Sequence, residues 1–287
     1  MNPSEIEVTT RDGVSLAASL FRNPDGSHLV IIGSGTGILR QFYFSFARFL
    51  RSQGFSVLVF DYRGIGGSRP SMLRGFDAKM QDWGRLDLEA VFAFGLSQPW
   101  AEKVSFLGHS VSGQLLGLAS SAPQLSRVVF VASQEGYWKL WPMHQRWVFL
   151  PLFGPFLWVS ARILGYIPAR IVGLGEDLPS GVAIEWATWC RTKDYLFAFL
   201  DSMQPYCFST LQQPILSISF SDDFFAPMKA VEALLARYPA AAIRSLHYQP
   251  NDFGRASIGH FSFFKSPGKS DSWEKLVNFL YDSSGQC

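Results

Sequence analysis

Short, almost wholly apolar stretches, each followed by a helical pattern, constrain the fold of this chain more than any other feature. They occupy residues 28–33, 56–61, 104–107 and 128–131, and helical patterns begin near residues 41, 86 and 111. A strand that is apolar on both sides must be covered on both faces, as strands are in a parallel sheet flanked by helices. The alternation therefore predicts an α/β fold with a mostly parallel sheet and helices on both faces.

A hairpin precedes this pattern, and one long segment interrupts it. Residues 6–21 alternate around Asp12-Gly13, a dipeptide typical of a tight hairpin turn. Strands resume at residues 215–220 and 243–248, with helices near 227–238 and 271–281. The intervening segment is rich in tryptophan, with Trp138, Trp141, Trp147, Trp158, Trp186 and Trp189. We therefore expect an α/β core formed by residues 1–133 and 214–287, with residues 134–213 as a helical insertion.

Composition restricts the class of function. Of the 287 residues, 48% are hydrophobic and 17% are charged, which is typical of a globular protein and excludes a disordered or fibrous chain. The net charge of +2 comes without a basic block, so we expect no nucleic acid among the partners.

Cysteine content and hydropathy bear on the compartment. The three cysteines are too few and too widely spaced for a disulfide framework or a paired metal site, which favours a reducing cytoplasm. The longest uncharged apolar run, residues 147–160, is shorter than the roughly 20 residues that span a bilayer and contains two prolines. We therefore expect a cytoplasmic protein with no transmembrane segment, while contact of this run with a membrane surface stays open.

The joint between the third apolar stretch and the following helix carries the candidate nucleophile. Residues 108–113 read Gly-His-Ser-Val-Ser-Gly. A serine at the centre of such a strand–turn–helix joint lies on a strained turn that exposes its hydroxyl above the sheet. Ser110 is therefore the candidate, with an ordinary helix N-cap as the alternative interpretation. Ser112 is a poor second candidate, because its neighbours two positions away are not glycines.

A serine nucleophile needs a base, and His260 is the best placed of the five histidines. It lies in a loop after the last predicted strand and can reach over the carboxyl ends of the strands, where open α/β sheets bind ligands. The alternative is a packing role. Of the other histidines, two belong to strands, one lies in the insertion and one adjoins the serine, so that its side chain should point elsewhere: His28, His247, His144 and His109.

The base needs an orienting acid, and two aspartates directly follow the strand at residues 215–220. Asp223, four positions before Pro227, is the favoured acid, and Asp222 is the second candidate, with a local role in bonding backbone amides of the turn as its alternative. The chain order Ser110, Asp223, His260 is the nucleophile–acid–base order of one fold class.

An oxyanion formed at this serine needs backbone donors. One is expected to be the N–H of Val111, directly after the nucleophile. The other is expected in the glycine-rich loop, residues 33–37, with Gly35 favoured and Thr36 close behind. A phosphate-binding nest is the alternative for this loop, but no lysine follows as a P-loop requires.

These residues resemble the α/β-hydrolases. Residues 61–68 read Asp-Tyr-Arg-Gly-Ile-Gly-Gly-Ser, similar to the family's D-x-R-G-x-G-x-S turn, in which Asp61 and Arg63 are interpreted as scaffold. Nearly the whole chain is similar to a bacterial group of predicted α/β-hydrolases of undefined substrate, through residues 60–66, 73–77, 131–138, 173–179 and 258–261. Two features depart from the pattern: Ser112 replaces the usual glycine, and no His-Gly pair precedes the glycine-rich loop.

The resemblance implies that residues 134–213 form a cap that roofs the site and selects the substrate. Its apolar stretches, residues 147–153 and 156–158, would provide walls that suit an acyl chain or an aromatic group. The alternatives are that these rings form the core of the cap itself, or an exposed patch for a membrane or a partner.

The expected function is that of a serine hydrolase cleaving a carboxylic ester, with thioester and amide as variants, on a small apolar substrate through an acyl-enzyme. No metal or organic cofactor is expected. Acyl transfer or a lyase reaction on the same triad stays open, because the fold does not fix the reaction. A ligand-binding homologue without catalysis is the third possibility, and the presence of all three triad residue types argues against it.

Overall fold

A computed structural model of the chain describes residues 2–151, 157–171, 173 and 175–282. Strands alternate with helices along most of it, as the apolar stretches predict. The strands are β1 (Ser4–Thr9), β2 (Ser15–Phe21), β3 (His28–Gly33), β4 (Ser56–Phe60), β5 (Lys103–His109), β6 (Val128–Val131), β7 (Tyr166–Ile167), β8 (Leu178–Pro179), β9 (Ile215–Phe220) and β10 (Ile243–Tyr248).

Eight of these strands form one sheet in the order β1-β2-β4-β3-β5-β6-β9-β10. The hairpin β1–β2 is antiparallel and β2 is antiparallel to β4, whereas all further pairings in this sheet are parallel. The central strands β3, β4, β6 and β9 are buried at every position, which is why their sequences are mostly apolar. The prediction of a mostly parallel sheet is confirmed.

Helices cover both faces of the sheet. Neighbouring residues of one strand belong to two different apolar clusters, one on each face: Ile31 and Leu58 pack on one side, Val30 and Val57 on the other. The helices are α1 (Phe44–Ser52), α2 (Met80–Asp82), α3 (Glu89–Leu96), α4 (Val111–Leu115), α5 (Met143–Pro151), α6 (Leu157–Leu164), α7 (Ser180–Arg191), α8 (Met228–Leu235) and α9 (Ser272–Tyr281).

Two helices differ from the sequence-based expectation. The helix expected from residue 86 begins at Met80 and passes through a π-helical segment, Trp83–Leu88. Within that segment, the buried Asp87 accepts a hydrogen bond from Arg63 Nε at 2.7 Å. The helix after Ser110 is only five residues long. Beyond it, the Gly117 carbonyl accepts the N–H of Cys207 at 2.7 Å instead of continuing the helix.

The segment between β6 and β9, called the insertion below (residues 134–213), contains α5, α6, α7 and the small β7–β8 pair. Its later part is buried against the core, where Tyr195 and Trp189 are almost fully inaccessible. The side chains of residues 148–156, which include most of the predicted apolar walls, lie outside the described residues. At the two ends of that stretch, Trp147 is 74% exposed and Trp158 is 48% exposed. No helix in the described part of the chain has the length and apolarity needed to cross a membrane.

Candidate active site

Ser110 lies on a strained turn between β5 and α4. Its φ of 53° and ψ of −115° fall outside the ordinary regions for a residue with a side chain, and its N–H donates to Val131 at 3.0 Å. The turn forms because its flanking positions carry no side chain: a Cβ on Gly108 would lie 2.8 Å from the Gly113 nitrogen, and one on Gly113 would lie 2.3 Å from Ser133 Oγ. The geometry is that of a strand–turn–helix joint that presents a serine.

Ser112, which replaces the expected glycine, is fully buried, and its hydroxyl forms two hydrogen bonds. Its Oγ donates to the Ser34 carbonyl at 2.6 Å and accepts from the Tyr62 hydroxyl at 2.6 Å. The space for this side chain exists because β3 ends in Gly33, where a Cβ would lie 2.6 Å from Ser112 Oγ. A glycine on the facing strand thus compensates for the serine in the turn.

The candidate acid and the candidate base are hydrogen-bonded. His260 Nδ1 donates to Asp223 Oδ2 at 2.7 Å, and both side chains are buried. The other oxygen of Asp223 accepts the N–H groups of Phe225 and Ala226 at 2.8 and 3.1 Å. The carboxylate is therefore held by its own turn at the carboxyl end of β9, and the imidazole is oriented with Nε2 as its free nitrogen.

Asp222, the second candidate acid, has a different partner. Its Oδ2 accepts the Ser257 hydroxyl at 2.8 Å and the N–H groups of Ile258 and Gly259 at 2.8 and 3.1 Å. Burial raises the pKa of this carboxyl, but these hydrogen bonds outweigh burial and bring the pKa below its ordinary value. Asp222 thus fixes the backbone of the base loop (residues 258–261), while Asp223 fixes the imidazole.

No hydrogen bond joins Ser110 to His260 among the described residues. Within the described residues, Ser110 Oγ forms no hydrogen bond, and the neighbouring His109 provides the link, with its Nε2 at 2.9 Å from the His260 carbonyl oxygen. Bonds between a nucleophile and its base are often long or poorly aligned until substrate binds. The fold thus brings Asp223 and His260 into contact, and it links the Ser110 turn to the His260 loop through His109.

The backbone donors of the glycine-rich loop are only partly free. The Gly35 N–H donates to the Tyr43 hydroxyl at 2.9 Å. The N–H groups of Thr36 and Val111 have no acceptor among the described residues. Val111 is the first residue of α4, where an N–H has no partner within the helix.

Tyr43 and His109 lie next to the candidate site, although the sequence analysis did not place them there. His109 was expected to point away from Ser110, and it does, into a fully buried position between Tyr43 and His260. Burial, and next the neighbouring His260, lower the pKa of His109 well below its ordinary value. The adjacency of His109 to Ser110 was the available signal, but nothing in the sequence spacing connects residue 43 to residue 109.

Aromatic rings border the candidate base. The ring centroids of Phe225 and Phe261 lie 5.4 and 5.0 Å from that of His260, and Phe42 lies 6.4 Å from Phe261. These three rings, called the aromatic collar below, are half-buried or exposed, so apolar surface is accessible next to the imidazole.

The insertion contacts three segments that carry or adjoin candidate site residues. Trp141 Nε1 donates to the Phe224 carbonyl, next to Asp223, at 2.9 Å. The Tyr195 hydroxyl donates to Gln114 of α4 at 2.7 Å, and the Glu176 N–H donates to Gly37 of the glycine-rich loop at 2.8 Å. The insertion is therefore fixed around the candidate site, as a cap would be.

Two other features of the surface do not coincide with this site. Depressions of about 580 and 530 Å³ lie beside β1 and α3 and beside β10 and α9, away from Ser110. In the part of the chain that the structure describes, no group of three or more His, Cys, Asp or Glu side chains could hold a metal ion.

Comparison with known proteins agrees with this geometry. A model of a family described as the alpha/beta hydrolase family matches residues 29–268. No curated protein matches the sequence.

Several solved structures share the fold. DcsB, in complex with its substrate analogue, has a TM-score of 0.68 at 15% identity, with 97% of this chain and 98% of that chain covered. The esterase Pf2001 of Pyrococcus furiosus has a TM-score of 0.60 at 18% identity, covering 97% and 89%. Est1E of Butyrivibrio proteoclasticus, with ferulic acid bound, has a TM-score of 0.58 at 17% identity, covering 96% and 96%. At identities this low, the similarity shows a common fold alone.

Proposed function

Since this chain belongs to the alpha/beta hydrolase family, we propose that it is a serine hydrolase that cleaves carboxylic esters through an acyl-enzyme. The observation that carries the proposal is the buried Asp223–His260 pair, oriented beside a strained serine turn. A serine, an imidazole and a carboxylate in this arrangement are the minimum for acyl transfer to and from a hydroxyl.

The mechanism follows from the orientation of the imidazole. Ser110 Oγ attacks the ester carbonyl while His260 Nε2 accepts its proton, and His260 then gives that proton to the leaving alcohol. Asp223 keeps the other imidazole nitrogen protonated and stabilises the imidazolium that forms. In the second half, water takes the place of the alcohol and releases the acid from Ser110.

Two backbone N–H groups are proposed to bind the oxyanion. Val111 supplies one, since its N–H lies directly after the nucleophile and is unpaired among the described residues. The other comes from the glycine-rich loop. Because the Gly35 N–H is committed to Tyr43, Thr36 is the better donor, and Gly35 serves to hold the loop.

We propose that the acyl group is apolar. The aromatic collar supports this, because Phe225 and Phe261 place accessible apolar surface within contact distance of His260. The insertion supports it as well, since it contacts the loops of the acid, the nucleophile and the oxyanion and is positioned to enclose an acyl chain as a cap.

The test is turnover of p-nitrophenyl butyrate together with mass analysis of acid-quenched enzyme. We expect release of p-nitrophenol and a butyryl group on the peptide that contains Ser110. Release that is unchanged in Ser110→Ala, or no release from any ester, thioester or anilide tested, would overturn the proposal.

Addition of an alcohol during turnover measures acyl transfer. If most of the acyl group passes to the alcohol at low alcohol concentration instead of to water, the enzyme is an acyltransferase.

A further inference from the structure

A buried hydrogen-bond chain joins the glycine-rich loop to the base loop. The Gly35 N–H donates to the Tyr43 oxygen at 2.9 Å, the Tyr43 hydroxyl lies 2.7 Å from His109 Nδ1, and His109 Nε2 lies 2.9 Å from the His260 carbonyl oxygen. Tyr43 and His109 are both fully buried. These hydrogen bonds therefore connect the glycine-rich loop to the backbone of the base loop without passing through solvent.

The position of every proton in this chain follows from its end groups. A carbonyl oxygen only accepts, so His109 Nε2 must carry a hydrogen and donate it to His260. His109 is neutral, because burial lowers its pKa well below the ordinary value, and its Nδ1 is therefore a bare acceptor. Burial raises the pKa of Tyr43, so its hydroxyl keeps its proton and donates it to Nδ1. With His109 neutral, this arrangement satisfies all three hydrogen bonds.

Packing around Tyr43 and His109 leaves these hydrogen-bonded side chains little freedom to move. The Phe264 ring lies 4.9 Å, centroid to centroid, from both Tyr43 and His109. A Cβ on Gly35 would lie 3.0 Å from His109 Nδ1, so the close approach of the loop to the imidazole depends on glycine at this position. Because the partners are fixed from several sides, displacement of one loop is transmitted to the other.

We propose that Tyr43 and His109 are positioning residues that fix the glycine-rich loop and the base loop relative to each other. The inference rests on the proposed function, since it concerns how that triad is assembled. His109 acts through its two ring nitrogens as a neutral bridge and takes no part in proton transfer to the substrate.

A second buried histidine provides a matched control for a purely structural role. His28 Nε2 lies 2.8 Å from Ser105 Oγ, and burial lowers the pKa of His28 to about 4, so it too is a neutral imidazole paired with a buried hydroxyl. Its strand, β3, begins at His28, at the end opposite to the glycine-rich loop. Loss of the hydroxyl in Ser105→Ala therefore removes an equivalent bond far from the chemistry.

The experiment compares the rate at which a fluorophosphonate labels Ser110 in the wild type, Tyr43→Phe and Ser105→Ala, with Tm measured for each. Tyr43→Phe keeps the ring and removes both hydrogen bonds of the hydroxyl. We expect labelling and kcat for p-nitrophenyl butyrate to fall about 10-fold or more in Tyr43→Phe at unchanged KM, because the oxyanion loop is displaced. Ser105→Ala should be labelled within about two-fold of the wild-type rate at a similar loss of Tm.

Two substitutions of His109 sharpen the test. Glutamine can place an amide N–H near the former Nε2 and retain the bond to His260, whereas leucine cannot. We expect His109→Gln to recover a large part of the labelling rate that His109→Leu loses. Wild-type rates in Tyr43→Phe, or equal losses in Tyr43→Phe and Ser105→Ala, would overturn the positioning role. Failure of the wild type to be labelled would instead contradict the proposed function.

Discussion

The carboxyl edge of the sheet and the outer insertion, residues 143–171, present their functional groups in opposite ways. At the sheet edge, Ser110, Asp223 and His260 are each less than 10% exposed. Asp223 accepts hydrogen bonds from the Phe225 N–H and from His260 Nδ1, which fixes the carboxylate and the imidazole. In the outer insertion, apolar side chains are exposed instead, with Trp147 at 74% and Ile163 at 65%. The candidate site residues are therefore fixed within the core, whereas the described part of the outer insertion presents apolar surface to solvent.

The largest loss of activity is expected from a change at Ser110, the proposed nucleophile. Ser110→Ala should lower kcat for ester hydrolysis by about 10⁴-fold or more while the protein stays folded. Ser112→Ala should retain most of the activity and lose about 1–3 kcal/mol of stability, because the Tyr62 hydroxyl and the Ser34 carbonyl lose their common partner. Steady-state kinetics and urea unfolding measure the two effects, and an exchange of phenotypes would refute the assignment.

The two adjacent aspartates give the next largest effect. Asp223→Asn removes the charge that faces the imidazole, and we expect kcat to fall by about 10³-fold. Asp222→Asn keeps an oxygen that accepts the N–H groups of Ile258 and Gly259, so kcat should fall by about 10-fold or less. Circular dichroism verifies that both variants are folded. A larger loss in Asp222→Asn would reverse the roles.

Acid stability distinguishes the core from the insertion at a smaller scale. Burial lowers the pKa of His28 to about 4, so the folded state stays neutral while the unfolded chain takes up a proton as the pH falls below about 6.5. The stabilising contribution is present above that pH and is lost toward pH 4, amounting to about 2 kcal/mol between pH 7.5 and pH 5.0. His28→Asn should flatten the urea-unfolding difference between these pH values. The control His144→Gln, at an exposed position of the insertion, should leave it unchanged.

The smallest expected effect is the dependence on acyl length. Each added CH₂ contributes about 0.8 kcal/mol, so kcat/KM should rise by up to about fourfold per carbon until the pocket is full. Phe225→Ala, in the aromatic collar, should flatten this rise. If Trp147→Ala flattens it as well, the outer insertion closes over the acyl chain. A preference for acetate or for charged acyl groups would show that these rings serve packing alone.

The sheet was predictable from sequence because a strand buried on both faces leaves a mostly apolar stretch, as in β3, β4 and β6. Ser110, Asp223 and His260 were predictable as candidates because each follows a strand in a fixed chain order. The hydrogen bonds that decide their surroundings join residues far apart in sequence: Tyr43 bonds His109, and Asp222 bonds the backbone near residue 258. The commitment of the Gly35 N–H to Tyr43 could not be foreseen for the same reason.

The most direct test of the central claim is labelling by a fluorophosphonate, followed by peptide mass analysis. We expect one adduct, on Ser110, that forms in the folded protein and is absent from Ser110→Ala and from heat-denatured enzyme. Labelling should persist in Ser112→Ala. No adduct in the folded wild type, or an adduct on Ser112 or another residue, would contradict the assignment of Ser110 as an activated nucleophile.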